Sequence, residues 1–314
     1  LAFASSQNSF GDTIKRADIA LYNAKANGRG RLTRFTKAMA DEIEHRHAIQ
    51  VDLRRALTER ELTLNYQPIV EAATGTISSV EALVRWQHPT RGLLLPDSFI
   101  GVAESINLAG ELGRWVMRRA CAEFSGWRAR GIGTDAVLRL NVSPVQLVSE
   151  GFADVVAETL ADFGLAGESV CLEITESLVV QDIETARITL AALKEVGVQI
   201  AIDDFGTGYS VLTHLKSLPV DTLKIDRSFV QDLGNNAGDL AIVRAVIALA
   251  DAFGLAVVAE GVETSAAAEI LLRHGCYRAQ GFLLSRPLSS AAMSKLFARK
   301  YIELPFASTP RRVP

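Results

Sequence analysis

Carboxylate and carboxamide side chains recur along this chain at one kind of place, the end of a short β-rich run. Glu81 interrupts one such run, Asn141 ends another, Glu173 and Glu176 close a third and the pair Asp203-Asp204 a fourth, while Glu260 and Glu263 follow a later one. Lys224, Asp226 and Gln280 lie within runs. Oxygen ligands without histidine or cysteine are the donor set of a hard divalent cation, Mg2+ or Mn2+, and converging carboxylates need a positive charge among them. The acids outnumber what one octahedral ion and its waters use. Two ions roughly 3.5–4 Å apart, sharing a bridging acid of the kind Asp203-Asp204 supplies, would clamp an in-line phosphoryl displacement. Zinc is disfavoured, because His45, His47, His88, His214 and His274 form no cluster at these ends.

Each position also has a plainer explanation. A single acid after a strand is more often a loop or helix cap, and Asp203-Asp204 before Gly206 and Gly208 fits a tight turn with acidic flanks. Lys224 inside an apolar run is harder to dismiss, since a buried lysine without a partner is expensive. Recurrence at consecutive run ends is what makes the acids a set. Cys171, His274 and Met117 read as core or surface filling.

The elements that must position these groups alternate short β-rich runs with longer helical patterns, the signature of a mainly parallel α/β fold. The runs are Leu62 to Tyr66, Val80 to Trp86, Val137 to Asn141, Val170 to Ile174, Gln199 to Asp203, Thr222 to Asp226, Ala256 to Ala259 and Ala279 to Leu283. Their number and spacing predict a TIM barrel, in which the carboxyl ends of the strands share one face. An open doubly wound sheet is the alternative, but no Gly-rich phosphate loop follows the first run. Upstream, Ala17, Ala20, Leu21 and Ala24 have helical spacing, broken at Gly28 and Gly30 before a short strand-like alternation up to Phe35. From Thr36 to Arg60, Ile49, Leu53 and Leu57 recur every fourth residue, predicting a linker helix with one apolar stripe.

Composition narrows the function. The chain has 314 residues, 48% hydrophobic and 22% charged, with a formal net charge of −3. That charge makes no cationic track for duplex DNA, so a phosphate-bearing substrate must be held by metal ions or single arginines. Three cysteines without a C-x-x-C pair argue against a disulfide framework and for a reducing cytoplasm. The apolar stretch Ala245 to Ala259 carries Asp251 and is too short to span a bilayer. An opening on Leu1 without a leader reads as an excerpt of a longer polypeptide, whose upstream segments could carry a membrane anchor.

The same residues lie in strings that resemble EAL-domain phosphodiesterases: Gln67-Pro68, EALVRW at 81–86, NVS at 141–143, LEITES at 172–177, DDFGTGYSVL at 203–212, LKIDRSFV at 223–230, AEGVET at 259–264 and QGFLLSRPL at 280–288. The resemblance implies a modified TIM (β/α)8 barrel whose first strand runs antiparallel to the rest, and hydrolysis of cyclic di-GMP to linear pGpG. It implies Glu81, Asn141, Glu173 and Asp203 as ligands of one metal, Asp203 bridging to a second served by Asp204, with Glu260 completing the cluster or acting on the water. Lys224 would orient that water or stabilise developing charge. Gln67, Arg85, Asp226, Glu263, Gln280 and Pro287 would line the nucleotide pocket, with Arg85 on a phosphate. Glu176 would steady the loop after Asp204 by accepting hydrogen bonds from its backbone N–H groups or from Thr207 and Ser210. Val211 and Phe282 depart from the family's common Ser and Tyr at non-catalytic positions.

The segment RADIALYNAKANGRGRLTRF at 16–35 resembles the closing helix and strand of GGDEF domains, without their signature loop. The expected organisation is a GGDEF remnant over 1–37, a linker helix over 38–60, the barrel over 61–300 and a tail over 301–314. Relatives of this kind commonly form homodimers. A cyclic di-GMP receptor without turnover is the competing function, but such degenerate relatives usually lose acidic positions and none is lost here. A general nuclease is disfavoured by the acidic charge.

Overall fold

The computed structural model describes residues 9–26, 32–176, 183–207 and 215–305. Its strands are β1 (Leu62–Glu71), β2 (Ile77–His88), β3 (Gly92–Leu94), β4 (Val137–Asn141), β5 (Val170–Thr175), β6 (Gln199–Phe205), β7 (Thr222–Ile225), β8 (Ala256–Ala259), β9 (Arg278–Ala279) and β10 (Leu288–Ser289). The helices are α1 (Phe10–Ala26), α2 (Lys37–Thr58), α3 (Ile100–Ser105), α4 (Ala109–Ala129), α5 (Pro144–Leu147), α6 (Phe152–Asp162), α7 (Ile183–Val196), α8 (Arg227–Val230), α9 (Ala237–Phe253), α10 (Ser265–Arg273) and α11 (Ser290–Arg299).

β1, β2, β4, β5, β6, β7, β8 and β9 pair in that order, and the β1–β2 pairing closes them into an eight-stranded barrel, with β3 and β10 attached outside the ring. From β2 through β9 neighbours are parallel; β1 is antiparallel to both β2 and β9. The cause is local. β1 and β2 are joined by a tight turn in which Gly75 N–H donates to Glu71 O, too short for the crossover a parallel pair requires. Gly75 has φ +74, and a Cβ there would lie 2.1 Å from the Ile302 carbonyl, so the turn tolerates only glycine.

The barrel's strand pattern is polar inward and apolar outward. Leu138, Leu140, Leu172, Ile174, Ile200, Ile202, Leu223 and Ile225 alternate with the inward groups and are buried between sheet and helices. On β2 and β4 the same period places Ser79 with Glu81, and Arg139 with Asn141, on one face. Helix α2 docks through Ile49 and Leu53, both with no exposed surface, and α1 is opened by a reciprocal pair in which Asp12 N–H donates to Ser9 Oγ and Ser9 N–H to Asp12 Oδ2.

Two expected strands are corrected. Leu32–Phe35 has no regular secondary structure; Leu32 is exposed, and Phe35 stacks under Arg16 of α1 at 5.3 Å. The eighth run ends at Ala279: Leu284 and Ser285 N–H groups donate to Gly281 O, curling the apolar Phe282–Leu284 stretch into a turn. Gly281 lies so close to Val262 that a Cβ would sit 2.1 Å from its carbonyl oxygen. Gly28 and Gly30 fall outside the described residues.

Because Leu53 is fully buried, Leu53→Ala should lower stability by about 2–5 kcal/mol, seen as a single urea transition at a lower midpoint. An unchanged midpoint would mean that α2 folds independently of the barrel.

Candidate active site

Lys224 stands at the centre of the strand ends. Its side chain on β7 has no exposed surface, and Nζ lies 2.7 Å from Glu173 Oε2, 3.0 Å from Asp203 Oδ2, 2.5 Å from Glu260 Oε1 and 3.9 Å from Glu81 Oε2. These acids come from β5, β6, the segment after β8, and β2, so the barrel's closure brings them to one point. Burial opposes a charge on Lys224, but the surrounding carboxylates hold its pKa well above the usual lysine value.

Each acid has its own support. Glu81 accepts from Asn141 Nδ2 at 2.6 Å through Oε1 and from Gln280 Nε2 at 2.7 Å through Oε2. With Nδ2 so committed, Oδ1 is the Asn141 atom left for a cation. Glu173 accepts from Arg139 Nη1 at 3.1 Å through its second oxygen. Gln280 also donates to Gln67 Oε1 at 3.1 Å, and Gln67 Nε2 donates to the Ser285 carbonyl at 3.0 Å.

Asp203 and Asp204 are consecutive, so strand alternation would send them to opposite faces. The ladder between β6 and β7 shifts by one residue between Ile202 and Phe205, and Asp204 adopts φ +55. This bulge turns Asp204 to the same side as Asp203, at the cost of a left-handed conformation that aspartate tolerates better than most residues. One oxygen each from Asp203, Asp204 and Glu260 lie within 4.8 Å of one another, close enough to hold one cation. Glu176 is buried and its Oε2 accepts from Gly206 N–H at 2.9 Å. Thr207, expected as a further partner of Glu176, instead donates its hydroxyl to the Asp204 carbonyl at 2.8 Å. Ser210 and Val211 lie outside the described residues.

Above the acids opens a cleft of about 550 Å3. Gln67, Arg85, Asp226, Glu263, Gln280 and Pro287 all line it. Arg85 is buried, its Nη1 donating to the Val84 carbonyl at 2.8 Å. Asp226 does a second job that its place in the apolar run concealed: it lies just past β7 and caps α8, accepting from Ser228 N–H at 2.9 Å. Against the effect of burial, the Ser228 hydroxyl and N–H hold its pKa below the usual carboxylate range. Phe282 and Arg286 form a stacked pair at 4.4 Å, with Phe282 on the wall. Sequence reasoning missed Asp97 and Arg227 on the wall and Arg139 beneath the acids. A charge inside the apolar run Val137–Asn141 was the available signal for Arg139, the same signal that singled out Lys224.

The donor set fits a divalent cation. Five carboxylates, Glu81, Glu173, Asp203, Asp204 and Glu260, face two buried cations, Lys224 and Arg139. Burial and the neighbouring charges push Glu173 up to about 7, Asp204 up to about 6 and Glu260 up to about 8. Gln280 Oε1 is in addition a buried acceptor without a hydrogen-bond partner. A cation relieves the excess negative charge, and a water bound to it can donate to that oxygen. Of the histidines, His88 is bonded to Asp52 and His274 follows α10; the side chains of His45, His47 and His214 are not among those described.

An eight-stranded barrel with acids converging at its mouth beside a polar cleft places the candidate site where TIM-barrel proteins build theirs, with a donor set suited to a divalent cation. The profile of the EAL domain family matches residues 50–287, and the chain belongs to that family. An uncharacterized protein of Mycobacterium tuberculosis is 58% identical over 294 residues, covering 94% of this chain and 47% of that protein. A bifunctional diguanylate cyclase/cyclic di-GMP phosphodiesterase, MucR of Pseudomonas aeruginosa, is 42% identical over 272 residues, covering 87% of this chain and 40% of that protein. The chain thus spans about half or less of the length of these relatives. Among solved structures, the EAL domain of Mycobacterium smegmatis DcpA is 63% identical with a TM-score of 0.70, over 77% of this chain and all of that one. The MucR phosphodiesterase in complex with cyclic di-GMP is 43% identical with a TM-score of 0.76, over 78% of this chain and 99% of that one.

The raised carboxyls make the metal-free fold sensitive to pH. Folded Glu260, with its pKa near 8, keeps a proton that the unfolded chain, near its ordinary value of 4.5, gives up. The stability this contributes is complete below the unfolded value and is lost as pH rises through the folded one. In excess chelator the unfolding temperature should therefore fall as pH rises from about 5 to about 8, and excess Mg2+ should abolish the fall. Calorimetric scans showing no decline in chelator would contradict the buried carboxyl cluster.

Proposed function

We propose that this chain is a metal-dependent phosphodiesterase that opens one phosphodiester bond of cyclic di-GMP to give linear pGpG. The observation that carries the reading is the fully buried Lys224 among Glu81, Glu173, Asp203 and Glu260, of which Glu81, Asp203 and Glu260 line the cleft. Asp203, Asp204, Glu260, Glu81, Glu173 and Asn141 would hold two Mg2+ or Mn2+ ions, which when bound would supply an activated water and offset the negative charge on the phosphoryl and leaving-group oxygens. Arg85 pairs a phosphate oxygen of the substrate with its guanidinium, and Gln67, Asp226, Glu263, Gln280 and Pro287 shape the pocket around the nucleotide. Glu260, in contact with Lys224 and on the cleft wall, would complete the metal cluster or act on the attacking water. Lys224 Nζ, in contact with Glu260 and Asp203, orients that water and stabilises the transition-state charge. Glu176 holds Gly206 and so presents Asp204. The similarity to MucR, in sequence and in its complex with cyclic di-GMP, supports the substrate.

Residues 1–37 we read as the remnant of a GGDEF domain and 38–60 as the linker helix into the barrel at 61–300, with a tail at 301–314. We also read the unit, from the family resemblance, as a cytoplasmic homodimer. Among the described residues no helix is long and apolar enough to cross a membrane.

Incubation with cyclic di-GMP and Mg2+, followed by chromatography, should yield pGpG; binding without product would establish a receptor instead. Ca2+ should support turnover poorly, because it prefers more ligands and longer bonds. Glu81→Ala and Asp203→Asn should each abolish hydrolysis while leaving the circular dichroism spectrum unchanged, and near-normal rates at saturating metal would refute the ligand assignment. Glu176→Ala should lose about 10–100-fold in rate and in apparent Mg2+ affinity, partly restored by excess metal. Wild-type affinity and rate would remove the supporting role, and total loss at every metal concentration would make Glu176 itself a ligand.

A further inference from the structure

Beneath the acids lies a second buried cation that the reaction above does not use. Arg139, in the middle of β4, is 2% exposed; its Nε donates to Ser79 Oγ on β2 at 3.0 Å and its Nη1 to Glu173 Oε1 on β5 at 3.1 Å. Lys224 takes the other oxygen, Glu173 Oε2, at 2.7 Å. The two oxygens of Glu173 are therefore served by two different cations. Arg139 lies two residues before Asn141 on the same strand face, about 6.5 Å further back along the strand. The cleft floor above them is formed by Glu81, Asp203 and Glu260, and Glu173 is held beneath it, Oε1 by Arg139 and Oε2 by Lys224. A guanidinium keeps its charge, and its planar fork spans two partners at once, which an ammonium cannot do.

We infer that Arg139 is a positioning residue of the metal centre: by holding Glu173 Oε1 from inside the barrel it fixes the carboxylate so that Oε2 alone faces the cation site. This rests on the metal-dependent reading above. Glu173 then acts as a one-oxygen ligand, and the exchange on cation binding is between Lys224 and the metal at Oε2, with Arg139 unmoved. Without Arg139 the carboxylate loses the bond that sets its rotation, and Oε2 leaves its place.

The test is Mn2+ binding measured by calorimetry, independent of turnover, on the wild-type chain and on Arg139→Met, Arg139→Lys, Glu173→Gln and the Arg139→Met/Glu173→Gln pair. Arg139→Met should bind Mn2+ about 10–100-fold more weakly, and Arg139→Lys should recover part of the loss. In the Glu173→Gln background, Arg139→Met should change the affinity little further, since its effect runs through that side chain. A general loss of stability would not produce that coupling. Wild-type affinity in Arg139→Met, or full additivity in the pair, overturns the inference and leaves the metal reading intact. A wild-type chain that binds no Mn2+ overturns both. Should Arg139→Met fail to fold, Ser79→Ala removes one prong's partner while keeping the charge; a few-fold weaker Mn2+ binding at near-native unfolding temperature supports the inference, and unchanged binding overturns it.

Discussion

The mouth of this barrel depends on one fully buried ammonium. Lys224 has no route to solvent and so must be neutralised where it stands, by Glu173, Asp203 and Glu260 in contact and Glu81 just beyond. Those acids are far apart in the chain and meet only because β2, β5, β6, β7 and β8 are parallel members of a closed ring whose carboxyl ends share one rim. The dependence is mutual. Without the lysine the carboxylates would repel one another, and even with it burial first, and then the neighbouring acids, hold Glu173 and Glu260 above the usual carboxylate range. Five carboxylates against Lys224 and Arg139 leave an excess of acidic groups for a cation to balance.

That arrangement inverts the usual economy of a barrel interior. In many TIM barrels the axis is filled with branched apolar side chains. Here Ser79, Glu81, Arg139, Glu173 and Lys224 face inward, and stability is carried by the other side of the strands, where leucines and isoleucines pack under the helices. Every inward polar group has to find a partner inside the barrel, so the pairs are closely interlocked: Arg139 with Ser79 and Glu173, Glu81 with Asn141 and Gln280, Gln280 with Gln67. Gln280 Oε1 is a buried acceptor among these left unpaired.

The strand order and the convergence of acids were legible in the sequence because inward and outward positions alternate so cleanly. Runs such as VLRLN and CLEIT expose their polar groups by period alone. The antiparallel first strand came only from family resemblance, since nothing in the run Leu62–Tyr66 announces its direction; the turn at Gly75 explains it afterwards. Other features escaped for definite reasons. Alternation assigns Asp204 to the outer face, and only the bulge and positive φ bring it in. The apolar Phe282–Leu284 stretch looks like strand because the backbone contact that ends β9, Gly281 against Val262, is long-range. Asp226 was visible as a polar residue but not as the cap of α8, and Arg139 passed as an isolated charge because its partners lie on two other strands.

The helix that leads into the barrel is tied to the same machinery by a second polar network. Asp52 on α2 accepts from Arg55 and lies 3.1 Å from His88 Nε2, while Glu61 accepts from Arg55 Nε and from Trp86 Nε1. Trp86 meets Phe99 edge-on with centroids 5.6 Å apart, and Phe99 follows the short turn Pro96–Ser98 whose Pro96 and Asp97 form part of the cleft wall. Phe99, Trp86, Ile49 and Leu53 all lack exposed surface. Close-packed groups of this kind move together or not at all, since a gap of even a fraction of an ångström forfeits much of the contact energy. Helix α2 and the segment bearing Pro96 and Asp97 thus pack into one continuous apolar cluster beside the cleft.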